Sequence, residues 1–217
     1  KWTSSAEVGV SGRTGNTERV TSMALIEAKR ETPDTRLNFY GRALHSREDG
    51  EDSQKEFIGG AGFEHDISDR AYGFLRVELE NDIFEDISFR ATAAAGLGYF
   101  LLEEEDHTLK VSGGAGAKYE EYYSGGNDCT PVAQAGVEYM RELQEWLLFE
   151  HATFYEPSLE DSRQYWIKSE STLAIPITME KDWRFKIGVR QEYTAVPEPG
   201  VERLDTFYFA SLVWTFQ

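Results

Sequence analysis

Residues 205–217 read DTFYFASLVWTFQ, and the order of the aromatics in this stretch decides the fold. Stepping back in twos from Phe216 gives Trp214, Leu212, Ala210 and Tyr208, all apolar. The residues between them, Thr215, Val213, Ser211, Phe209, Phe207 and Asp205, are mixed. A period of two belongs to a strand with unlike faces. In a soluble sandwich the apolar face of such a strand turns inward, whereas in a membrane barrel it turns outward to lipid.

The totals narrow the choice. At 217 residues the chain has room for one core or one closed barrel. No stretch approaches the ~18 uninterrupted apolar residues of a spanning helix. A membrane barrel stays open, because only alternate residues of its strands meet lipid. The formal charge of -17 argues against nucleic-acid binding, which needs clustered Lys and Arg. The single cysteine, Cys129, excludes an internal disulfide framework. The first ten residues, KWTSSAEVGV, lack the apolar run of a signal peptide, so the expectation is either a cytosolic chain or one whose signal has been removed.

Alternation broken by turns repeats along the whole chain. Twelve segments read as strands: 2–11, 18–29, 35–44, 54–67, 72–82, 88–102, 108–119, 131–139, 146–155, 165–177, 183–193 and 204–216. Turn residues separate them, as in RTGN, TPD, EDGED, ISDR, SGGND, PSLEDS and PEPG. No segment carries the three-and-four apolar spacing of an amphipathic helix, and no linker divides the chain, so residues 1–217 are expected to form one all-β domain. In the sixth strand Phe89, Ala91, Ala93, Ala95, Leu97, Tyr99 and Leu101 share one face, opposite Ser88, Arg90, Thr92, Ala94, Gly96 and Gly98. In the eleventh, Trp183, Phe185, Ile187 and Val189 oppose Arg184, Lys186, Gly188 and Arg190. Aromatics sit near the ends of the apolar faces and small or aliphatic residues in the middle, the grading of a transmembrane strand. The expected girdle, together with the C-terminal strand, comprises Trp2, Tyr99, Tyr119, Trp183, Tyr193, Tyr208, Trp214 and Phe216.

Connection lengths are a second signal. Turns after even-numbered strands are short and those after odd-numbered strands mostly longer, as in HSREDGEDS, EEYYSGGNDCT and TAVPEPGVER. An even strand count puts both termini on the side of the short turns. That is the plan of bacterial outer-membrane barrels, with short periplasmic turns and long external loops. The fold expected is therefore a closed, antiparallel transmembrane β-barrel of about twelve strands with both termini periplasmic. A soluble twelve-stranded barrel or sandwich is the alternative left open.

Four stretches carry a family resemblance: SGRTGNTE in the first hairpin, AGLGYFLLEEE, FYEPSLEDSRQYWIKSESTLAIPIT, and the closing PEPGVERLDTFYFASLVWTF. The chain resembles the uncharacterised family of putative salt-induced outer-membrane proteins, Gram-negative barrels made with a signal peptide. The resemblance implies a fold and a location in the bacterial outer membrane, with lipid and lipopolysaccharide around the barrel. It implies no catalytic residues. It also likens the final strand to the signal read by the barrel-assembly machinery, although here Gln217 follows the terminal aromatic.

With the polar faces turned inward, the lumen holds twelve acids and twelve bases. The candidates for lining a pore are Arg42, Glu64, Arg76, Glu78, Arg90, Lys110, Lys118, Glu138, Glu150, Lys168, Glu170, Arg184 and Arg190. The remainder are Glu7, Glu27, Glu56, Asp66, Glu80, Glu120, Glu192, Arg19, Lys29, Arg36 and Lys186. Pairing across the lumen would seal the barrel; acidic and basic walls facing each other would line a narrow water path. Twelve strands ~4.8 Å apart and tilted ~40° give a radius of about 12 Å, which side chains nearly span. The inward glycines Gly60, Gly62, Gly96, Gly98, Gly114, Gly116 and Gly188 either leave room or pack against long neighbours. The functional expectation is a narrow passive channel for ions or small hydrophilic solutes, the alternative a sealed barrel with a structural or osmotic-stress role in the envelope.

The remaining motifs offer less. His151 and Thr153 share a face of the ninth strand beside Ser169 and Ser171 of the tenth, the minimum for a lipid-face hydrolase, but no acid orients the histidine. No enzyme is expected. His45, His65 and His107 are scattered without metal-ligand spacing, and no cofactor motif is present. The acidic loop SREDGED, residues 46–52, is a candidate weak contact for Ca²⁺ or Mg²⁺, including ions shared with lipopolysaccharide phosphates, though it lacks the ligand register of an EF-hand.

Overall fold

The computed structural model describes residues 1–13, 19–48, 50–83, 86–178, 180, 182–197 and 203–216, and every regular element among them is a β-strand. In chain order these are β1 (Trp2–Arg13), β2 (Arg19–Glu31), β3 (Thr35–Glu48), β4 (Glu51–Asp66), β5 (Ala71–Asp82) and β6 (Ile87–Glu103). There follow β7 (His107–Tyr122), β8 (Asn127–Gln144), β9 (Leu147–Pro157), β10 (Tyr165–Pro176), β11 (Trp183–Thr194) and β12 (Leu204–Phe216). Each strand pairs antiparallel with its neighbours in sequence, and β1 closes the ring against β12 from Ser4↔Phe216 to Val10↔Ala210. Closure leaves no strand edge unpaired, the condition for a sheet to sit in a medium without water.

The register confirms the two-faced reading of the last strand. Tyr208, Leu212, Trp214 and Phe216 are exposed, while Phe209 and Ser211 between them are buried. The same rule holds around the ring. A row of outward partners, Phe39↔Ala61↔Val77↔Ala93↔Ala117↔Pro131, crosses six strands without a polar side chain. The interior instead carries buried Glu7, Glu56, Glu80, Lys118 and Glu120. A soluble barrel would reverse these faces, because a contiguous apolar belt costs free energy in water. The alternative of a soluble barrel or sandwich is thereby overturned. No helix among the described residues is long and apolar enough to cross a membrane.

All eight girdle candidates take outward positions, in two groups. Trp2, Tyr99, Trp183, Trp214 and Phe216 lie toward the end that holds the termini, with Trp183 and Trp214 stacked at 5.9 Å. Tyr119, Tyr193 and Tyr208 lie toward the opposite end, where Tyr165 stacks on Tyr193 at 5.7 Å.

The connection lengths differ from the sequence reading at two places. The segments HSREDGEDS and EEYYSGGNDCT are mostly strand: β3 runs to Glu48 and β4 begins at Glu51, while β7 reaches Tyr122 and β8 begins at Asn127. Their acidic residues extend the hairpin arms instead of forming loops. The turns fit in few residues because Gly50, Gly125 and Gly126 take φ of 86°, 96° and 98°, where a side chain is disfavoured. The tip of SGRTGNTE, residues 14–18, and Gln217 lie outside the described residues, as does Asp49 of the acidic loop.

Candidate functional site

Cross-strand register places all thirteen pore-lining candidates on inward positions. Arg42, Glu64, Arg76, Glu78 and Arg90 come from β3–β6, and Lys110, Lys118 and Glu138 from β7 and β8. Glu150, Lys168, Glu170, Arg184 and Arg190 come from β9–β11. Most of them are joined by ion pairs that lie in three tiers along the axis.

The tier nearest the termini is built on Glu64, which accepts from Arg36 Nε at 2.8 Å and from Lys110 Nζ at 3.3 Å. Arg36 also reaches Asp66, with Nη2 to Oδ1 at 2.5 Å. Arg76 on β5 reaches Glu138 on β8 at 2.7 Å. Its guanidinium lies between the rings of Phe74 and Phe154, 4.7 and 4.8 Å from their centroids. A planar cation between two π faces is held by both, so its orientation is fixed as well as its charge.

The middle tier crosses the lumen. Lys168 Nζ on β10 is 2.7 Å from Glu78 Oε1 on β5, and Tyr40 donates its hydroxyl proton to the same carboxylate. Arg42 pairs with Glu56 at 2.8 Å and comes within 3.9 Å of Glu192 on β11. Above it, Arg90 bridges Glu80 and Glu120 at 2.6 Å each. Lys118 is 3.6 Å from Glu156 and lies 3.6 Å over the ring of Trp166. Elsewhere on the wall Arg190 pairs with Glu170 at 2.5 Å, and Lys186 with Glu7. Glu150 and Arg184 stand toward the termini end with no ion pair among the described residues. The charges therefore alternate around the lumen and do not separate into an acidic and a basic wall.

A cavity of about 460 Å³ opens on the termini side of this middle tier. It runs from Glu31 and Arg36 at the rim to Tyr40, Glu78 and Lys168 at its inner end, where, among the described residues, the passage is closed by side chains of strands. Gly62 faces this space, and a Cβ there would meet nothing within 4 Å. The other inward glycines pack. A Cβ at Gly60 would lie 2.3 Å from the Tyr40 ring, one at Gly98 2.0 Å from Tyr72, and one at Gly188 2.5 Å from Phe209. Gly96, Gly114 and Gly116 instead admit the backbone of the adjoining strand, so close packing is the rule and Gly62 the exception.

Sequence reasoning missed two kinds of lumen residue. Inward aromatics, among them Tyr40, Tyr72, Phe74, Phe154 and Trp166, share the register of the charges, and a strict count by twos along each strand finds them. Further acids also take inward register: Glu48, Asp82, Asp128, Glu156 and Asp205 at the end away from the termini, and Glu31 and Glu142 at the termini end. The lumen is therefore not balanced at twelve against twelve, and acids are added toward both mouths. Arg19 keeps an inward backbone register opposite Glu48.

At the acidic hairpin, Asp52 is held by His45 at 3.0 Å, by Arg47 at 3.1 Å and by Lys55. No group of three or more His, Cys, Asp or Glu side chains suited to a metal ion occurs among the described residues. His65 and His107 lie apart, His107 edge-on to Tyr139 at 5.3 Å. On the outer face the four hydrolase candidates do come together. His151 Nδ1 is 2.8 Å from Ser171 Oγ, His151 Nε2 is 2.9 Å from Thr153 Oγ1, and Thr153 Oγ1 is 2.9 Å from Ser169 Oγ.

The architecture is shared with solved outer-membrane barrels. The NanC porin aligns with a TM-score of 0.56 at 10% identity, over 97% of both chains. The KdgM porin, solved with disordered oligogalacturonate, aligns at 0.54 and 10% identity, over 98% of this chain and 99% of its own. An outer-membrane channel from Pseudomonas putida F1 aligns at 0.57 and 9% identity, over 99% and 95%. At these identities the likeness is one of fold. No curated protein matches the chain. A family model does match, over residues 6–216, and the chain belongs to the family described as "Protein of unknown function, DUF481".

Proposed function

We propose that this barrel spans a bacterial outer membrane with its termini in the periplasm and acts as a narrow passive channel for ions and small hydrophilic solutes. The observation that carries the reading is the 460 Å³ cavity whose inner end, among the described residues, is closed by side chains. A closure made of the Lys168, Glu78 and Tyr40 side chains, with the Arg90 and Lys118 pairs beyond them, can open by rotamer change without displacing any backbone. The porin and channel folds of its structural neighbours support the same reading. The further acids toward both mouths favour the entry of cations over anions.

One observation favours a second reading. The Lys168–Glu78 pair joins opposite walls, as expected of a sealed barrel whose role is structural. Single-channel recording of the refolded protein in a planar bilayer separates the two. Discrete steps altered by neutralising Lys168 are expected of the channel. A folded, heat-modifiable barrel that never conducts, in either wild-type or Lys168→Met form, would leave only the sealed reading.

A further inference from the structure

The bases of the lumen are not held equally. Lys168, Arg42, Arg76 and Arg90 each reach a carboxylate oxygen at 2.8 Å or less. Lys118 does not. It is 3% exposed, its Nζ stops 3.6 Å from Glu156 Oε2, and it makes no hydrogen bond among the described residues. What holds it is the indole of Trp166, whose centroid lies 3.6 Å away. A buried ammonium whose N–H groups find no acceptor at hydrogen-bond distance is unfavourably placed.

The two groups around it are fixed without its help. Glu156 and Trp166 are cross-strand partners on β9 and β10. Glu156 Oε1 accepts from Gln134 Nε2 at 2.8 Å. Both residues also line the 460 Å³ cavity, whose volume is in the range of small-molecule sites. A solute in that cavity therefore meets Glu156 directly. Inward Glu31 and Glu142 stand at the termini end from which the cavity opens, and neither has an ion pair among the described residues.

We infer that Glu156 and Trp166 form a binding site for a small organic ammonium, filled in this state by the chain's own Lys118. An indole face and a carboxylate side by side both attract positive charge, and the carboxylate also needs N–H donors to be satisfied. Lys118 is tethered to β7 and stops short of the carboxylate. A free ammonium has no such tether, so it can lie on the ring and donate to Oε2 at ~2.8 Å. The site adds a solute class to the channel reading, and it holds whether or not the barrel conducts.

Other ligands fit these two groups less well. A neutral alcohol can donate to Glu156 but gains little from the negative face of the ring, and an anion is repelled by both. A hard metal ion takes about six or more oxygens, where this site offers the Glu156 carboxylate and a ring.

The test follows the Trp166 indole N–H resonance, assigned with Trp166→Phe, of the refolded full chain in lipid nanodiscs. The probe is 2-aminoethanol, with ethylene glycol and KCl at the same concentrations as controls. A saturable shift is expected with 2-aminoethanol alone. Lys118→Met removes the internal competitor and should tighten binding about tenfold, as for a site that is open a tenth of the time. Lys186→Met, which removes a base paired with Glu7, should leave the affinity unchanged. Glu156→Gln should weaken binding at least about tenfold, the worth of one charge-assisted hydrogen bond. Heat-modifiable migration checks that each variant is folded, and Lys118→Gln replaces the Met variant if that one is not. An equal response to KCl or ethylene glycol overturns the ligand class. An affinity that Lys118→Met leaves unchanged, or no saturable shift in wild type and Lys118→Met alike, overturns the site. Binding is read without current, so a barrel that binds and never conducts sinks the channel reading alone.

Discussion

Lys168 and Glu78 lie 90 residues apart in sequence and on strands β10 and β5, yet Nζ and Oε1 meet at 2.7 Å across the lumen. Neither side chain is more than about a third exposed, and Tyr40 donates to the same carboxylate. A pair in this position gains from the low dielectric around it and limits the width of the passage at once.

Replacing Lys168 with Met separates those two effects. It removes the cross-lumen contact and leaves Glu78, among the described residues, hydrogen-bonded to the Tyr40 hydroxyl, so folding stability falls by about 1–3 kcal/mol, less than for a dry buried pair because water reaches both groups. Conductance rises, and the remaining carboxylate shifts selectivity toward cations. Urea titration measures the first, and reversal potentials in a salt gradient the second. Unchanged current beside the expected loss of stability would mean that the narrowest point lies elsewhere.

Two inward glycines two residues apart should respond oppositely. At Gly60 an added methyl group lies 2.3 Å from the Tyr40 ring, so Gly60→Ala must move that ring and loosen its hold on Glu78. The cost expected is about 1–3 kcal/mol, the usual range for overpacking. At Gly62 the methyl enters the cavity and meets nothing within 4 Å, so Gly62→Ala keeps stability unchanged or raises it slightly. Thermal unfolding followed by gel mobility distinguishes the two.

These contrasts show which parts of the molecule are legible from its sequence. The faces of Arg90, Lys118 and Arg190 follow from a period of two, which a single strand contains in full. The partner of each base does not, because Lys168 meets Glu78 only after closure has fixed which strands oppose each other. Glu156 escaped notice because the ninth strand reads as ending at 155, just short of the turn-like PSLEDS, whereas β9 runs on to Pro157. Residues 127–130 read as loop for a similar reason, since the two glycines before them mark a turn without saying how short it is. His151, Ser171, Thr153 and Ser169 were legible as neighbours, since adjacent strands in a hairpin set their register.

Acid should loosen the β9–β10 loop before the barrel. Asp161, between β9 and β10, accepts from the Arg163 guanidinium at 2.8 and 3.0 Å and from the Arg163 backbone N–H at 3.0 Å. Those bonds hold its carboxyl below the ordinary carboxylate range. A value lowered by folding contributes order that is complete above the unfolded carboxylate value and is lost as pH falls through the lower, folded one. Protection of the Arg163 amide, its exchange rate relative to that of an unstructured chain at the same pH, should therefore persist at pH 5 and fall only in stronger acid, below about pH 4. Asp161→Asn should show low protection across the whole range.

Arg76 tests whether shape or charge organises the cavity wall. Lysine in its place keeps the positive charge near Glu138 but has no plane to lie between Phe74 and Phe154. If charge alone mattered, Arg76→Lys would be silent. With the guanidinium held on both faces, the substitution should lower stability by about 0.5–2 kcal/mol, the worth of the lost π contacts. Phe154 also covers Gly136, where a Cβ would lie 2.7 Å from its ring, so freeing the ring loosens the β8–β9 wall as well. Arg76→Lys should then broaden the Phe154 ring resonances while leaving those of Phe209, on the far wall, unchanged. Equal broadening at both rings would point to a general loosening of the barrel instead.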